Sequence, residues 1–159
     1  MPRFLFSLFL FLVPSLASAD FSGRVVAVTD GDTIRVMHNG KAEKIRLYGV
    51  DCPEMGQAYG KTAKQFASEM VFGKDVTVKT HGKDRYGRTI GDVLLPDGRS
   101  LNHELVAAGL AWWYRRYAPH DAELERLEKE ARDHNLGLWA DRDPAPPWCY
   151  RKWKKGQKC

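Results

Sequence analysis

The residues best suited to chemistry lie in one short stretch, Arg46 to Glu54, which reads R-L-Y-G-V-D-C-P-E. It combines a cation, two carboxylates and a proline with apolar, strand-forming residues. Pro53 fixes its own φ and lacks a backbone donor, so we expect the chain to leave the strand there. Asp51 and Glu54 then flank a strand end whose geometry the fold sets. Carboxylates held rigidly beside an arginine indicate an active centre rather than a solvated surface.

A further carboxylate is brought to this stretch by the strands before it. The sequence predicts three antiparallel strands, Phe21–Thr29, Asp32–Val36 and Lys41–Tyr48, joined at Asp-Gly and Asn-Gly hairpin turns. In such a meander the start of one strand lies beside the end of the next. We therefore expect Asp32 to converge with Asp51, although nineteen positions separate them.

The rest of the chain predicts two more strands and three helices. A helix separates the third strand from the fourth, and two helices follow the fifth strand. This order indicates an α+β, mainly β fold, a five-stranded OB-fold barrel with three helices. These later elements are a helix with the apolar face Ala63–Met70, strands Asp75–Thr80 and Arg88–Leu95 around a polar loop His81–Gly87, a short helix capped by Ser100 or Asn102, and a helix Asp121–His134.

The side chains of this predicted site favour phosphate chemistry. Asp32, Asp51 and Glu54 offer hard oxygen atoms, which favour Ca²⁺ or Mg²⁺, and no Cys-x-x-Cys or His-x-x-His pair favours zinc. Arg46 and Arg88 are candidate phosphate ligands, because a guanidinium group matches a phosphate edge with two donors. Metal, base and two arginines are the parts that phosphodiester hydrolysis needs. Each residue alone has an ordinary structural explanation, in a turn or a surface ion pair, so only the combination is informative.

Over roughly residues 21–139 the chain resembles the staphylococcal nuclease (thermonuclease) family. Several motifs carry this resemblance, and they occur in the order that the family has. The motifs are Asp30-Gly31-Asp32-Thr33, Arg46 through Glu54, Asp84-Arg85-Tyr86-Gly87-Arg88, and a weaker match from Asn102 through Gly109-Leu110-Ala111.

The resemblance implies an endonuclease that uses Ca²⁺ to cleave DNA and RNA, with a preference for single-stranded or frayed substrate, and that leaves 3′-phosphate ends. It also implies a role for each matched residue. Asp32, Asp51 and the main-chain carbonyl of Cys52 are implied metal ligands. The implied catalytic residues are Glu54 as general base and Arg46 and Arg88 as phosphate-binding arginines. The residues implied to line the nucleotide pocket are Tyr86, Tyr114 and Tyr117.

Two other functions are compatible with the fold. A non-catalytic nucleic-acid-binding OB module keeps the barrel but can lose the acids and arginines, whereas all five are present here. A purely structural exported domain has no sequence feature in its favour. Cys52 stands where the best-known family member has threonine, and an accessible thiol at that position would make activity sensitive to oxidation.

The first nineteen residues predict a secretory signal peptide. Arg3 supplies a positive start, Phe4–Val13 is apolar, and Ala17-Ser18-Ala19 resembles a cleavage site. The apolar run is too short for a membrane span, which takes about 20 residues. The expected organisation is a signal peptide at 1–19, an OB-fold domain at 20–143 and a basic, aromatic tail at 144–159. We expect an exported monomer, periplasmic or secreted, with no membrane contact after cleavage.

The tail raises two separate expectations. Three cysteines in an exported chain predict one disulfide, and Cys149 and Cys159 are the natural pair because they flank the basic segment. The segment Tyr150–Lys155 interleaves aromatic and cationic residues, which suits contact with nucleic acid. A solvated, frayed terminus is an equally good interpretation. Trp112 and Trp113, upstream of the tail, are expected to serve the core.

Overall fold

The structure is a computed structural model that describes residues 19–159. The predicted signal peptide therefore lies outside the described residues, except for Ala19. The barrel strands are β1 (Phe21–Asp30), β2 (Thr33–His38), β3 (Lys41–Leu47), β5 (Asp75–Lys83) and β6 (Thr89–Leu94). They form a closed barrel in the order β1-β2-β3-β6-β5, which confirms the predicted five-stranded OB-fold barrel.

Alternating apolar residues fill the barrel. Val36, Ile45 and Val78 are among the residues with no exposed surface, and their neighbours along each strand are more exposed. The barrel closes where β3 and β6 run parallel, with Ile45 opposite Thr89. Across this seam the Thr89 hydroxyl donates to Glu43. The seam brings the strand that carries Arg46 beside β6, the strand that Arg88 immediately precedes.

The predicted loop His81–Gly87 is partly wrong, because β5 continues to Lys83. Lys83 pairs with Thr89 across a register shift, so β5 and β6 stay together past the end of the alternating apolar pattern. His81 is held on this extension by Asp92, at 2.7 Å, and stacks on Tyr48 with ring centroids 3.9 Å apart. The loop thus starts after Lys83, just before the Asp84–Arg88 motif.

The predicted helix count of three is too low. The structure contains α1 (Gly60–Val71), α2 (Leu101–Ala107), α3 (Ala122–Asp133) and α4 (Pro147–Trp153), with a short 3-10 helix at Gly137–Ala140. The first three correspond to the predicted helices, whereas α4 lies in the tail. Pro147 occupies the first turn of α4, where a fixed φ and a missing N–H favour helix initiation. The proline cluster at 144–147 therefore begins a helix instead of only interrupting the chain.

The N-cap of α2 is Ser100, whose hydroxyl accepts from the His103 amide. Asn102, the alternative cap, is instead fully buried inside the helix. Its side chain accepts from the Val93 amide and donates to the carbonyl of Tyr48 at 2.9 Å. Asn102 therefore ties α2 to the barrel directly beside the chain segment that carries the predicted site.

A two-stranded sheet follows the barrel strand β3. It pairs β4 (Val50–Asp51) with β7 (Trp112–Trp113), and Asp51 lies opposite Trp112. Both tryptophans are buried, as the sequence predicts. Within residues 19–159, no helix has the length and apolar character needed to cross a membrane.

The tail packs on the domain through the beginning of α4. The Trp148 ring stacks on Tyr114, with centroids 5.2 Å apart, and meets the Trp112 ring edge-on. Cys149 is buried and joined to Cys159, and their Cα atoms lie 4.9 Å apart. A frayed terminus is therefore wrong for this part of the tail, although the positions after Arg151 are exposed.

Candidate active site

The turn between β1 and β2 places Asp32 beside the end of β4. The Asp32 Oδ2 atom accepts from the Cys52 amide at 2.7 Å, and Oδ1 accepts from the Thr33 hydroxyl at 3.1 Å. The main-chain carbonyl of Asp32 also accepts from Leu47, at 2.9 Å. These bonds fix the hairpin against the Arg46–Glu54 stretch, so the predicted convergence of Asp32 with Asp51 is confirmed.

Arg46 bridges the two buried carboxylates. Its Nη2 atom lies 3.2 Å from Asp32 Oδ2 and 3.0 Å from Asp51 Oδ1. Its Nη1 atom donates to the carbonyls of Leu47 and Val50, at 3.0 and 2.8 Å. Burial disfavours the charged guanidinium, but Asp32 and Asp51 outweigh burial and raise the pKa of Arg46. Arg46 is therefore a fixed positive charge at the centre of the site.

Negative charge accumulates around this arginine. Burial, together with the charge of Asp32, raises the pKa of Asp51 although Arg46 and Arg151 oppose the shift. Burial and Asp32 also raise the pKa of Asp30 to about 6. A carboxylate whose pKa is raised by burial and a neighbouring negative charge is stabilised by added positive charge. The environment of Asp32 and Asp51 thus suits a cation.

The Cys52 thiol is buried, and burial raises its pKa well above the usual value. A Cβ atom added at Gly31 would lie 2.8 Å from the Cys52 Sγ atom and 2.8 Å from Ala63 Cβ. Cys52 is therefore a packing residue between the Asp32 turn and α1. Because the thiol is neither accessible nor readily ionised, oxidation of Cys52 is not expected to regulate activity.

Glu54 lies just beyond Pro53, and its side chain is 40% exposed. A tail arginine, Arg151, contacts it: Nη1 lies 2.8 Å from Glu54 Oε1. The same guanidinium binds both oxygens of Asp51, with Nη1–Oδ1 at 3.1 Å and Nη2–Oδ2 at 2.8 Å. Arg151 was not among the predicted site residues. The only sequence signal was the basic tail, because a separation of 100 residues from Asp51 leaves no local pattern.

The tail also forms hydrogen bonds with the loop that follows Glu54. Gln57 accepts from the Glu54 amide at 3.1 Å and donates to the Ala145 carbonyl at 2.5 Å. The Tyr150 hydroxyl donates to the carbonyl of Gly56 at 3.0 Å. Glu54 therefore lies between β4, which precedes it, and a loop that contacts with the tail hold in place.

The hydrogen bonds of Arg88 go to the Asp84 turn rather than to the cluster formed by Asp32, Arg46 and Asp51. Its Nε atom donates to Asp84 Oδ2 at 2.6 Å, and its amide donates to Asp84 Oδ1 at 3.0 Å. Burial opposes ionisation of Asp84, but the bonds from Arg88 outweigh burial and lower the pKa of that carboxyl. The Asp84 turn thus fixes the position of the Arg88 guanidinium immediately before β6.

The three predicted nucleotide-pocket tyrosines have different surroundings. Tyr86 is 68% exposed and Tyr117 is 59% exposed. The guanidinium groups of Arg85 and Arg88 lie 4.8 and 5.6 Å from the Tyr86 ring centroid. Tyr114 is instead covered on one face by Trp148. Tyr86 and Tyr117 therefore offer free ring surface, whereas Tyr114 contributes to tail packing.

The donor set of the site consists of oxygen atoms from Asp32, Asp51 and the main chain. Oxygen donors fit a hard divalent cation such as Ca²⁺ or Mg²⁺. Across residues 19–159, no group of three or more His, Cys, Asp or Glu side chains is arranged to hold a metal ion. The chain itself thus offers two carboxylates at this position, and further ligands would have to be carbonyls, water or substrate.

Comparison with known proteins identifies a family that this chain resembles. A family model described as a staphylococcal nuclease homologue matches residues 44–141, which include Arg46, Asp51, Glu54 and Arg88. Asp32 precedes the matched range.

Several relatives align over most of the chain. An uncharacterized endonuclease of Escherichia coli is 49% identical over 91% of this chain and 93% of its own length. A micrococcal nuclease of Shigella flexneri is 42% identical over 89% of this chain and 85% of its own. The staphylococcal-like nuclease CAN1 of Arabidopsis thaliana is 42% identical over 73% of this chain but only 35% of its own length. The barrel, the site geometry and these relatives agree: the chain belongs to the staphylococcal nuclease family.

Proposed function

We propose that the protein is a nuclease that hydrolyses phosphodiester bonds in nucleic acids. The observation that carries this proposal is the position of Arg46, which is held charged between the buried carboxylates of Asp32 and Asp51 with Glu54 at the open side. The relatives named as nucleases support the same activity. A cation, a base and a fixed guanidinium are the groups that stabilise a phosphorane-like transition state.

We further propose that the site uses Ca²⁺. Asp32, Asp51 and the main-chain carbonyl of Cys52 would hold the ion, in agreement with their oxygen chemistry. When bound, Ca²⁺ supplies positive charge to the phosphate oxygens. The side chain of Cys52 has no part in this role, since only its carbonyl would be used.

Glu54 acts as the general base. Its partly exposed carboxylate accepts a proton from water, and the water oxygen forms the new bond to phosphorus. The bond from phosphorus to the 5′ oxygen breaks, that oxygen takes up a proton, and the products carry a 3′-phosphate and a 5′-hydroxyl. Arg46 and Arg88 donate to the non-bridging oxygens, which carry the developing charge.

The substrate is DNA or RNA, single-stranded or frayed. Exposed aromatic rings at Tyr86 and Tyr117 suit stacking with unpaired bases. The formal net charge of +5 suits a polyanionic substrate. We also propose that the protein is exported, periplasmic or secreted, which rests on the sequence of residues 1–19. We propose that it acts as a monomer.

A plasmid-nicking assay tests the function directly. The protein is incubated with supercoiled plasmid and with single-stranded DNA, in Ca²⁺ or in EGTA, and the product ends are identified by their susceptibility to a 3′-phosphatase. Cleavage that requires Ca²⁺ and leaves 3′-phosphates is expected. Binding without cleavage in Ca²⁺ would favour the non-catalytic OB module, and cleavage that persists in EGTA would overturn the Ca²⁺ mechanism.

A further inference from the structure

Arg151 approaches Asp51 in a two-pronged arrangement. Its Nη1 and Nη2 atoms bind Oδ1 and Oδ2 of the same carboxylate, at 3.1 and 2.8 Å. A fork of this kind takes the lone pairs on the outward edge of both oxygens. A carboxylate that binds a cation in a bidentate manner uses the same edge.

The Asp51 carboxylate has few lone pairs left to bind a cation. Oδ1 accepts from both Arg46 and Arg151, which uses both of its lone pairs. Oδ2 accepts from Arg151 and keeps one lone pair. Asp32 is similarly engaged, because its Oδ2 faces both Arg46 and the Cys52 amide. A cation at Asp51 therefore meets a carboxylate already occupied by two guanidinium groups.

Arg46 and Arg151 differ in how firmly they are held. The Arg46 side chain is 16% exposed and also donates to two main-chain carbonyls. The Arg151 side chain is 40% exposed, and within residues 19–159 its guanidinium group binds only the carboxylates of Asp51 and Glu54. Of the two arginines, Arg151 is thus the more exposed and makes fewer contacts with the main chain, so it is the one that we expect to move away from Asp51.

We propose that Arg151 is a resident counter-cation that competes with a divalent cation for the Asp51 carboxylate, and so sets the cation concentration that the site requires. The packed tail supplies this competitor: Trp148 stacks on Tyr114 and Tyr150 donates to the Gly56 carbonyl, and these contacts hold α4 against the domain. The Cys149–Cys159 disulfide closes the tail on itself. The inference rests on the proposed function, because it assumes that Asp51 is a cation ligand.

Calorimetric titration of the full chain with Ca²⁺ alone, without nucleic acid, tests the competition. Arg151→Gln is expected to tighten Ca²⁺ binding about tenfold, the scale of one charge-assisted contact. Arg151→Lys is expected to give a smaller gain, because an ammonium group cannot form the fork. Lys152→Gln is the matched control, since it removes the same charge from an exposed neighbour on α4. Circular dichroism and urea unfolding establish that each variant is folded.

The outcomes separate the inference from the proposed function. Tighter binding in Arg151→Gln but not in Lys152→Gln supports the competition. Equal tightening in both variants overturns it, because only the general charge of the tail then matters. Unchanged or weaker binding in Arg151→Gln, with wild-type binding that Asp51→Asn abolishes, overturns the inference and leaves the proposed Ca²⁺ site standing. Absence of Ca²⁺ binding in every folded variant overturns both.

Discussion

Arg46 Nη2 lies 3.0 Å from Asp51 Oδ1, and the guanidinium group that makes this contact is almost enclosed by protein. Removing it leaves buried carboxylates that repel one another. We expect Arg46→Gln to lower the free energy of unfolding in EGTA by about 3 kcal/mol, the scale of breaking one partner from a buried ion pair. Urea unfolding measures this. Arg35→Gln, on the exposed side of β2, is the control, and an equal loss in both variants would contradict a structural role for the bridge.

Glu54→Gln should reduce the rate of cleavage about 10²- to 10⁴-fold, because the amide cannot accept a proton from water. Binding of a single-stranded oligonucleotide should be retained, since Gln preserves the shape of the side chain. Cleavage rates and fluorescence anisotropy measure the two properties. Glu125→Gln, on the exposed face of α3, should behave as wild type. Undiminished turnover in Glu54→Gln would remove Glu54 from the role of base.

Tyr86→Ala should weaken substrate binding on the order of tenfold, the scale of one lost stacking contact with a base. The ring is exposed beside Arg88, so its removal should raise KM for single-stranded DNA more than it lowers kcat. Phe72→Ala removes another exposed ring, at the end of α1, and serves as the control. Equal KM values for Tyr86→Ala and wild type would show that the ring does not contact substrate.

Glu43 should make stability depend on pH. The hydrogen bond from Thr89 and the bond with His38 lower the pKa of Glu43 below 4.5. Ionised Glu43 therefore stabilises the folded state above that pH, and the contribution is lost as the pH falls through the lowered pKa. The difference in unfolding free energy between wild type and Glu43→Gln should shrink as the pH is lowered from 6 toward 3. A difference that stays constant with pH would contradict this origin.

The Cys149–Cys159 disulfide determines how many thiols can be alkylated in each state of the protein. Denatured, unreduced protein should take up one alkylating group per chain, at Cys52, and reduced protein should take up three. Folded, unreduced protein should take up none, because Cys52 is buried. Intact-mass measurement distinguishes these states. Three labels on the unreduced, denatured chain would show that the link does not form.

The part of the site that the sequence predicts is the part that neighbouring strands assemble. Asp32 meets Asp51 because hairpin turns fix which strand ends are adjacent. Asn102 shows the opposite case, because its type suits a cap as well as Ser100 does. Only packing decides that Asn102 enters the helix and binds the barrel. His81 is similar, since pairing with β6 extends a strand where the local residues predict a loop.

Arg151 could not be predicted as a site residue for a different reason. Its position depends on Trp148 stacking on Tyr114 and on the start of α4 at Pro147. Those contacts join segments that share no local periodicity. The sequence shows that the tail is basic and aromatic, but a basic residue there has many possible partners. The contact with Asp51 is a property of the tertiary structure alone.

The 100-residue separation between Arg151 and Asp51 has a consequence for the order of folding. Hairpin contacts such as those between β1 and β2 close short loops, whereas α4 has a surface to dock on only after the barrel and β7 exist. Long-range contacts carry the larger loop-closure entropy and form late. We therefore expect Arg151 to reach Asp51 and Glu54 only after the barrel strands have paired.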